Sequence, residues 1–211
     1  MPLLAYCIAE TRAIKTLPAG IDGLPIQGIQ AGKLHCFVSE IAIDSLAGTT
    51  SLKEAAIQFN RTLQDFLKQA TIVPFRFPTM LNENELIEHL TQHALQYEEA
   101  LVRLRGMVQM DIRIEARQAK SETFSSGTEY LRLREARLAS LHDIAAQFRS
   151  AGQPWIREWR EHEMSRGLHC HVLLPREQVD SFLGRTRGLS IASEYRARVS
   201  GPWPPAEFLK N

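Results

Sequence analysis

An alternation of apolar and polar residues runs through Met107-Val108-Gln109-Met110-Asp111-Ile112-Arg113-Ile114-Glu115, directly after Gly106. Period-two patterning predicts a β-strand with one buried face. Gly106 is a typical helix C-cap and closes the helical pattern that comes before it. We therefore expect the chain to divide here into two domains of similar size, residues 1–105 and 106–211.

The sequence before this point has the pattern of a small sheet. Short apolar runs over residues 3–8, 24–29 and 33–41 predict three strands, and the Ala31-Gly32 step predicts a hairpin turn between the last two. The β-branched and aromatic content of residues 71–78 predicts a fourth strand. Its two prolines lack a backbone N–H group, so we expect this strand at a sheet edge.

Two amphipathic helices are predicted in the same half. Ser51 and Glu54 form a capping-box pattern, and apolar residues at helical spacing follow. Asn82 and Glu85 repeat that pattern ahead of a second helix, which is expected to continue to Leu104.

The second half alternates strands with helices. After the strand at 107–115 we expect a polar loop from Gln118 to Thr128, a long amphipathic helix from Tyr130, a strand near 167–174, a helix over 175–189 and a strand over 190–199. Residues 155–159 are a candidate for one more strand, which would complete a ferredoxin-like layer. The predicted class is α+β, with a ferredoxin-like-variant N-terminal domain and a C-terminal domain built on the long helix.

The composition is that of a folded, nearly neutral protein. Of the 211 residues, 44% are hydrophobic and 23% are charged, so a core can form. The 25 Lys and Arg residues almost balance the 24 Asp and Glu residues, and the formal net charge is +1. We expect no nucleic-acid partner, because general nucleic-acid binders carry a strongly basic surface.

Cysteine usage and the first apolar run indicate a cytosolic protein. Cys7, Cys36 and Cys170 have no CxxC spacing, and we expect buried, reduced thiols. The first apolar run stops at Glu10 and is too short for a signal-peptide core or for a span of about 20 residues. We expect no membrane insertion.

One histidine pair raises the question of a metal site. His169 and His171 lie two apart in a predicted strand, so both imidazoles face the same way and could approach one ion. A zinc site needs a third or fourth ligand, and His162, Glu163 and Cys36 cannot be positioned from the sequence. Solvent-facing histidines on a half-buried strand are the favoured interpretation, and no metal site is expected.

Common catalytic patterns are absent from the sequence. His89 and His93 have the spacing of an HExxH metalloprotease, but Leu90 stands where the general-base glutamate belongs. There is no GxxxxGK[ST] phosphate loop, no GxGxxG motif after a strand and no GxSxG elbow. We therefore expect no enzymatic activity, no catalytic residues and no cofactor.

Two aromatic segments that contain proline stand out, residues 73–79 and 200–208. The terminal segment suits either a polyproline ligand for a partner or a tail that folds back and buries Trp203 and Phe208. Folding back is favoured, because burying a large apolar side chain is worth about 1.5–3 kcal/mol.

These segments, together with Ser126 to Leu131, resemble motifs of the gas vesicle protein F/L family (GvpF/GvpL). That family typically shows a Pro-Phe-Arg-Phe-Gly-Thr run after its first helix, a Gly-x-x-Tyr-Leu motif opening its long second-half helix, and a Gly-Pro-Trp-Pro-Pro-x-x-Phe terminus. Here the three motifs are Pro74 to Thr79, Gly127 to Leu131 and Gly201 to Phe208. The departures are Pro78 in place of glycine, and Ala206-Glu207 in place of a pair that usually begins with an aromatic residue.

The resemblance implies a non-enzymatic accessory protein with two α+β domains, located at gas vesicles in the cytoplasm. It also implies the main gas vesicle shell protein as partner, with other gas vesicle accessory proteins as further partners. Family members are held to associate with that small, very hydrophobic shell protein and to limit its aggregation before it is built into the wall.

The candidate partner-binding residues are Phe75, Arg76 and Phe77. Our hypothesis is that the first domain offers the edge strand or its neighbouring helices to the shell protein. Two other functions stay open: a ferredoxin-like regulatory module that binds a small molecule, and, less favoured, a metal-dependent enzyme that uses His169 and His171.

Overall fold

The protein consists of two compact units in a computed structural model that describes residues 2–42, 49–117, 126–165 and 167–209. Residues 1–106 form the first unit together with 203–211, and residues 107–202 form the second. Each unit combines an antiparallel sheet with helices, so the predicted α+β class is confirmed.

The first unit is a sheet with helices on both faces. It contains β1 (Leu3–Glu10), β2 (Gln27–Ala31), β3 (Leu34–Glu40), α1 (Thr49–Gln69), β4 (Val73–Pro74), β5 (Met80–Leu81), α2 (Glu83–Gln92) and α3 (Ala94–Arg103). The sheet order is β2-β3-β1-β4, and β5 also pairs with β1. The predicted hairpin joins β2 to β3, with Ala31 opposite Leu34 and Gly32 in the left-handed region at φ +60°.

Strand β1 is buried along nearly its whole length because helices cover both of its faces. On one face Tyr6 stacks on Phe59 of α1, with ring centroids 5.1 Å apart. The opposite face belongs to a core cluster that includes Leu3, Ala5 and Ile8 of β1 and Leu86, Leu90 and Leu101 of α2 and α3. A strand covered on both faces has a continuous apolar sequence, which explains the first apolar run of the chain.

The helices of this unit differ from their predictions at two points. Helix α1 already includes Thr49, so the helix start predicted at Ser51 is wrong, whereas the capping box at Asn82 and Glu85 is confirmed. The single helix expected up to Leu104 is also wrong, because the chain leaves helical geometry at His93. At this break, Nδ1 of His93 lies 2.9 Å from the carbonyl oxygen of His89 in the last turn of α2, so a side-chain hydrogen bond to the backbone accompanies the end of the helix.

The second unit has the strand and helix order of a ferredoxin-like layer. It contains β6 (Met107–Ala116), α4 (Gly127–Gly152), β7 (Glu158–Met164), β8 (Gly167–Pro175), α5 (Val179–Thr186) and β9 (Tyr195–Trp203), the last of which ends at the boundary with the first unit. The sheet order is β7-β8-β6-β9. The strand predicted at 107–115 is therefore confirmed: it is β6, one of the two central strands of this sheet.

The two faces of β6 differ in chemistry. Val108, Met110, Ile112 and Ile114 are fully buried, and α4 contributes the buried side chains Leu141, Ala145 and Phe148 to the same unit. Because side chains alternate along a strand, Gln109, Asp111 and Arg113 point to the opposite face. The opposite face carries polar side chains of the sheet, including Asp111 of β6 and His171 of β8.

Several boundaries in the second unit differ from the prediction. Helix α4 begins at Gly127 with Ser126 as its N-cap, while most of the expected polar loop, residues 118–125, lies outside the described residues. Strand β7 begins at Glu158 rather than near residue 155, because Trp155 is still in the turn that follows α4 and donates its N–H to Gly152. The last strand runs over 195–203 instead of 190–199.

The terminal segment folds back within the first unit. Phe208 is fully buried, and the Arg103 guanidinium of α3 donates a hydrogen bond to its carbonyl oxygen. Residues 203–211 were expected in the domain 106–211, whereas the compact units place them with residues 1–106. The reason is the anchoring of Phe208, a long-range contact that sequence position does not reveal. Among the described residues, no helix combines the length and the apolar character that crossing a bilayer requires.

Candidate functional site

The segment Pro74 to Thr79 lies at the sheet edge of the first unit, as the position of β4 in the strand order shows. Cys7 and Ile8 pair with β4, and Leu3 and Leu4 pair with β5, so residues 75–79 interrupt an edge strand that otherwise follows β1. The interruption is held at both ends: Phe75 donates its N–H to the carbonyl of Tyr6, and Thr79 accepts from the N–H of Ala5.

The three candidate side chains in this segment have different environments. Phe77 is half-buried against Phe59 of α1, with ring centroids 5.1 Å apart. Phe75 is half-buried in the core cluster on the other side of the sheet, and its ring lies 6.1 Å from that of His89 in α2. Of the three candidates, only Arg76 is exposed. The two phenylalanines therefore hold the segment in place, and Arg76 is the one side chain of the three available to a partner.

This edge is poorly suited to adding a strand from another protein. Strand addition requires a row of free backbone donors and acceptors, and Pro74 and Pro78 provide no donor. Each paired stretch, β4 and β5, is only two residues long. Of the two surfaces named by our hypothesis, the neighbouring helices are thus the better one.

An open apolar groove runs along these helices. Its volume is about 870 Å³, and its lining includes His89, Tyr97, Ala100, Val102 and Leu209. Leu95 and Val102 of α3 also line it and are 78% and 62% exposed. They are seven residues apart, so they lie on one face of the helix. Sequence reasoning missed this surface. The available signal was that both residues are apolar but fall outside the apolar stripe predicted to face the core.

Two histidines and a tyrosine form the polar wall of this groove. Nε2 of His89 lies 2.6 Å from the hydroxyl oxygen of Tyr97, and the rings of His89 and His93 are 4.5 Å apart. Burial lowers the pKa of His89, and the nearby His93 lowers it further. Leu90, at the position of the missing general base, is fully buried. His89 is therefore an uncharged hydrogen-bonding group of this wall at neutral pH, and the residue between the two histidines cannot act as a general base.

All three cysteines are buried, as the sequence predicts. Burial raises the pKa of Cys7, with a further increase from Cys36, and burial also raises that of Cys36. Burial and the carboxylate of Glu161 raise the pKa of Cys170 to about 12. The thiolate form is therefore negligible at neutral pH, which makes these residues unreactive.

His169 and His171 of β8 acquire a third neighbour that sequence reasoning missed. Asp111 stands directly opposite His171 in the β6–β8 register. Its Oδ1 lies 2.9 Å from Nδ1 of His171, and its Oδ2 lies 3.6 Å from Nε2 of His169. His162 contacts the pair as well, since its ring is 5.2 Å from that of His171. Glu163 and Cys36, the other residues considered from sequence, are not in this group: Glu163 lies on the other side of β7 and Cys36 in the core of the first unit.

The charges in this cluster are set by burial together with its hydrogen bonds and neighbouring charges. Burial opposes ionisation of Asp111, but hydrogen bonds from His171 and Gln109 hold the pKa of its carboxyl below the usual range. Burial lowers the pKa of His169, and the adjacent His171 lowers it further. At neutral pH the cluster thus contains an ionised carboxylate beside the neutral imidazole of His169.

The terminal motif is fixed by close backbone packing. Gly201 has φ +125°, which side-chain-bearing residues rarely adopt. A Cβ atom at this position would lie 2.9 Å from the carbonyl oxygen of Gln109 and 2.8 Å from Sδ of Met110. Only glycine fits at this position, and the close packing of its backbone fixes the start of the terminal motif.

Comparisons with known proteins agree over the whole chain. The family described as gas vesicle synthesis protein GvpL/GvpF matches residues 2–210. The crystal structure of the gas vesicle protein GvpF from Microcystis aeruginosa is similar, with a TM-score of 0.81 and 19% identity, covering 100% of this chain and 99% of that one. That of GvpF from Anabaena sp. PCC7120 gives a TM-score of 0.80 and 18% identity, covering 100% and 96%. No curated protein sequence matches significantly.

Proposed function

Since the chain belongs to the GvpL/GvpF family of gas vesicle synthesis proteins, we propose that it is an accessory protein that binds the hydrophobic main shell protein and limits its aggregation during nucleation. The family is one of gas vesicle proteins and is not known for enzymes. Membership accordingly implies association with gas vesicles and with other gas vesicle proteins. Our proposal concerns two further points: that the partner is the main shell protein, and how this chain binds it.

The observation that supports this proposal is the apolar groove along α2 and α3. Leu95 and Val102 expose most of their surface on one helix face and line a concave surface that is mainly apolar in area. Polar and charged residues, Gln96, Glu98, Glu99 and Arg103, also contribute to its lining. Exposed apolar surface that is grouped in this way marks interaction sites more often than isolated exposed residues do. An apolar segment of the shell protein would bury this surface together with its own.

A helix of the shell protein is the form of partner that best suits the groove. Helix-in-groove recognition places one apolar helix face into an apolar channel, and it needs no free strand edge. The first unit offers such a channel, whereas its sheet edge is interrupted by two prolines. While bound, the partner helix would be unable to pair with other copies of itself, and this would limit aggregation.

Arg76 is the second contact in the proposed surface. It lies in the segment whose Phe75 packs against His89, and His89 forms part of the groove wall. An exposed guanidinium at the rim favours specificity and association rate more than affinity. We therefore assign most of the binding energy to the groove and a smaller share to Arg76.

The experiment is co-purification of the shell protein with variants of this chain. Leu95→Gln with Val102→Gln makes the groove polar while keeping good helix formers at both positions. Capture of the shell protein should fall about tenfold or more, since fully burying a leucine or valine side chain is worth about 1.5–3 kcal/mol and a polar side chain loses that gain. Arg76→Glu should reduce capture by a smaller factor, because rim charges contribute less.

A matched control uses two other exposed leucines. Leu131 and Leu133 in α4 are 54% and 44% exposed, and they lie in the second unit. Leu131→Gln with Leu133→Gln should leave capture unchanged if the groove is the specific surface. Equal loss in both double variants would indicate nonspecific apolar adhesion, and full capture by the groove variant would refute the proposed surface.

A small-molecule ligand is a second occupant to test, because the groove volume of about 870 Å³ lies within the common range for ligand pockets. A thermal-shift screen with nucleotides and amino acids addresses it, since a ligand at 100 times its Kd stabilises a protein by about 2.7 kcal/mol. A shift that disappears in the groove variant would favour the regulatory module over the shell-protein partner.

A further inference from the structure

Asp111, His169 and His171 form a cluster of potential metal ligands on the polar face of the second unit's sheet. One donor atom from each side chain lies within 4.8 Å of the other two. The arrangement follows from backbone register: His169 and His171 are two apart on β8, and Asp111 is the residue of β6 opposite His171. Two strands at the centre of one sheet thus hold all three side chains.

The separations match what one ion would require. Donor atoms at about 2.0–2.2 Å from a tetrahedral zinc ion lie about 3.3–3.6 Å from one another. The two measured separations from Asp111, 2.9 Å to His171 and 3.6 Å to His169, bracket this range. The third separation, between the imidazole nitrogens of His169 and His171, is within 4.8 Å, and side-chain rotations would bring the three donors to one centre.

The surroundings of Asp111 also suit ligation. Nε2 of Gln109 donates a hydrogen bond to Oδ1 of Asp111 at 2.8 Å, so the carboxylate is oriented from a second side. Metal-bound carboxylates are commonly supported by such outer partners. Without an ion, Oδ1 of Asp111 lies 2.9 Å from Nδ1 of His171, and a proton on that nitrogen completes a hydrogen bond between them. A cation would take the place of that proton.

We propose that Asp111, His169 and His171 bind one divalent first-row transition metal ion of the zinc class. Two imidazoles with one carboxylate form a donor set that such ions prefer, whereas Mg²⁺ and Ca²⁺ prefer oxygen donors throughout. Three protein ligands leave at least one coordination position for water or for a donor from a partner. The site is separate from the groove of the first unit, so this proposal does not depend on the shell-protein hypothesis.

One nearby charge limits the affinity. Arg113 stands opposite His169 in the register, on the same face of the sheet. A guanidinium at this place repels a bound cation, and the interaction is weakened by solvent because Arg113 is exposed. Arg113→Gln should therefore strengthen metal binding, by about two- to fivefold. A purely structural histidine cluster has no reason to respond in this direction.

The test is calorimetric titration of the tag-free full chain with Zn²⁺. Wild-type protein should bind one ion per chain at this site, and Asp111→Asn and His169→Gln should each weaken binding by at least tenfold, since even loss of an outer partner commonly costs about 10–100-fold. Both side chains are partly exposed, so the variants are expected to fold. Co²⁺ provides a second readout, because its visible absorption reports the coordination number and should change in both variants.

The histidine pair of the groove serves as the matched control. His89→Gln with His93→Gln removes a second pair of neighbouring histidines, in the first unit, at a spacing that can hold a metal, and it should leave binding at the proposed site unchanged. The proposal is overturned if wild-type protein shows no saturable binding of one ion, or if Asp111→Asn and His169→Gln both bind like wild type. It is also overturned if the control variant alone abolishes binding.

Discussion

Phe77 packs against Phe59, with ring centroids 5.1 Å apart at an interplanar angle of 53°. The contact joins the segment at the sheet edge to α1. Together with the packing of Phe75, this contact accounts for the order Phe-Arg-Phe in the segment. Phe75 and Phe77 pack on opposite sides of the sheet, and Arg76 between them is exposed. A Phe77 variant that loses partner binding could therefore have lost a direct contact or the packing that holds Arg76 in place, and a stability measurement separates these two causes.

The first prediction concerns this anchor. Phe77→Ser removes a half-buried ring and should lower the free energy of unfolding by about 1–3 kcal/mol, less than the roughly 3–5 kcal/mol for a fully buried phenylalanine. Denaturant unfolding measures the change. Arg76→Ser is the control, and an exposed residue should alter stability by less than about 0.5 kcal/mol. Equal stability of Phe77→Ser and wild type would show that the ring packs more loosely than described.

The second prediction compares two glycines of the second unit. A Cβ atom at Gly167 would lie 2.2 Å from the carbonyl oxygen of Ile114, across the β6–β8 pair, whereas the same atom at Gly184 in α5 meets no atom within 4 Å. Gly167→Ala should destabilise by about 3 kcal/mol or more, because the backbone of a central strand cannot move aside.

Gly184→Ala should instead stabilise by about 0.4–1 kcal/mol, through reduced entropy of the unfolded chain. Thermal unfolding followed by circular dichroism distinguishes the two changes. A normal melting temperature for Gly167→Ala would contradict the close approach of β6 and β8.

The third prediction concerns the thiols. All three cysteines are buried, and the pKa of Cys170 is raised to about 12 by burial and by Glu161. A thiol reagent at about pH 8 should label none of them in the folded protein within minutes, since the thiolate is the reactive form. The same reagent should label all three after unfolding. Rapid labelling of native protein would locate an opening of the core, and peptide mapping would identify the residue.

The fourth prediction is a pH dependence. The pKa of His89 is lowered first by burial and second by His93. An NMR titration should therefore place its midpoint below the usual value of about 6.5. His93→Ala should raise that midpoint only in part, because burial remains. A full return to the usual value would show that the repulsion, rather than burial, dominates.

The same shift has a consequence for stability. A histidine whose pKa is lowered in the folded state takes up a proton more readily when the chain is unfolded. Its contribution to stability is present above the unfolded pKa and is lost as pH falls through the folded one. Unfolding free energies measured between about pH 7 and pH 5 should decline less steeply in His89→Gln, which has no proton to bind.

Local patterns predicted the elements of this fold where neighbours along the chain supply the information. Strand β6, the capping box at Asn82 and the hairpin after Ala31 depend on alternation, spacing and turn chemistry, and each is present. The break at His93 and the start of β9 were missed. The break is accompanied by a side-chain bond to the backbone, and β9 pairs with a strand distant in the sequence; periodicity reports neither feature.

The candidate sites show the same division. The sequence identified Phe75, Arg76 and Phe77 as a group, but only packing distinguishes the exposed arginine from its two anchored neighbours. The groove was not predicted, because its lining combines residues of α2 and α3 with Leu209, which is more than 100 positions away in the sequence.

The sequence by itself determined the α+β class and the family, since apolar periodicity and the motifs at residues 74–79, 127–131 and 201–208 are local properties. Only the tertiary structure decided which residues meet. His169 and His171 were visible as a pair, but Asp111 joins them through the register between β6 and β8. Register is fixed by the burial of whole strands and not by any single residue, so a third side chain 58 positions before His169 could not be assigned to the pair from the sequence.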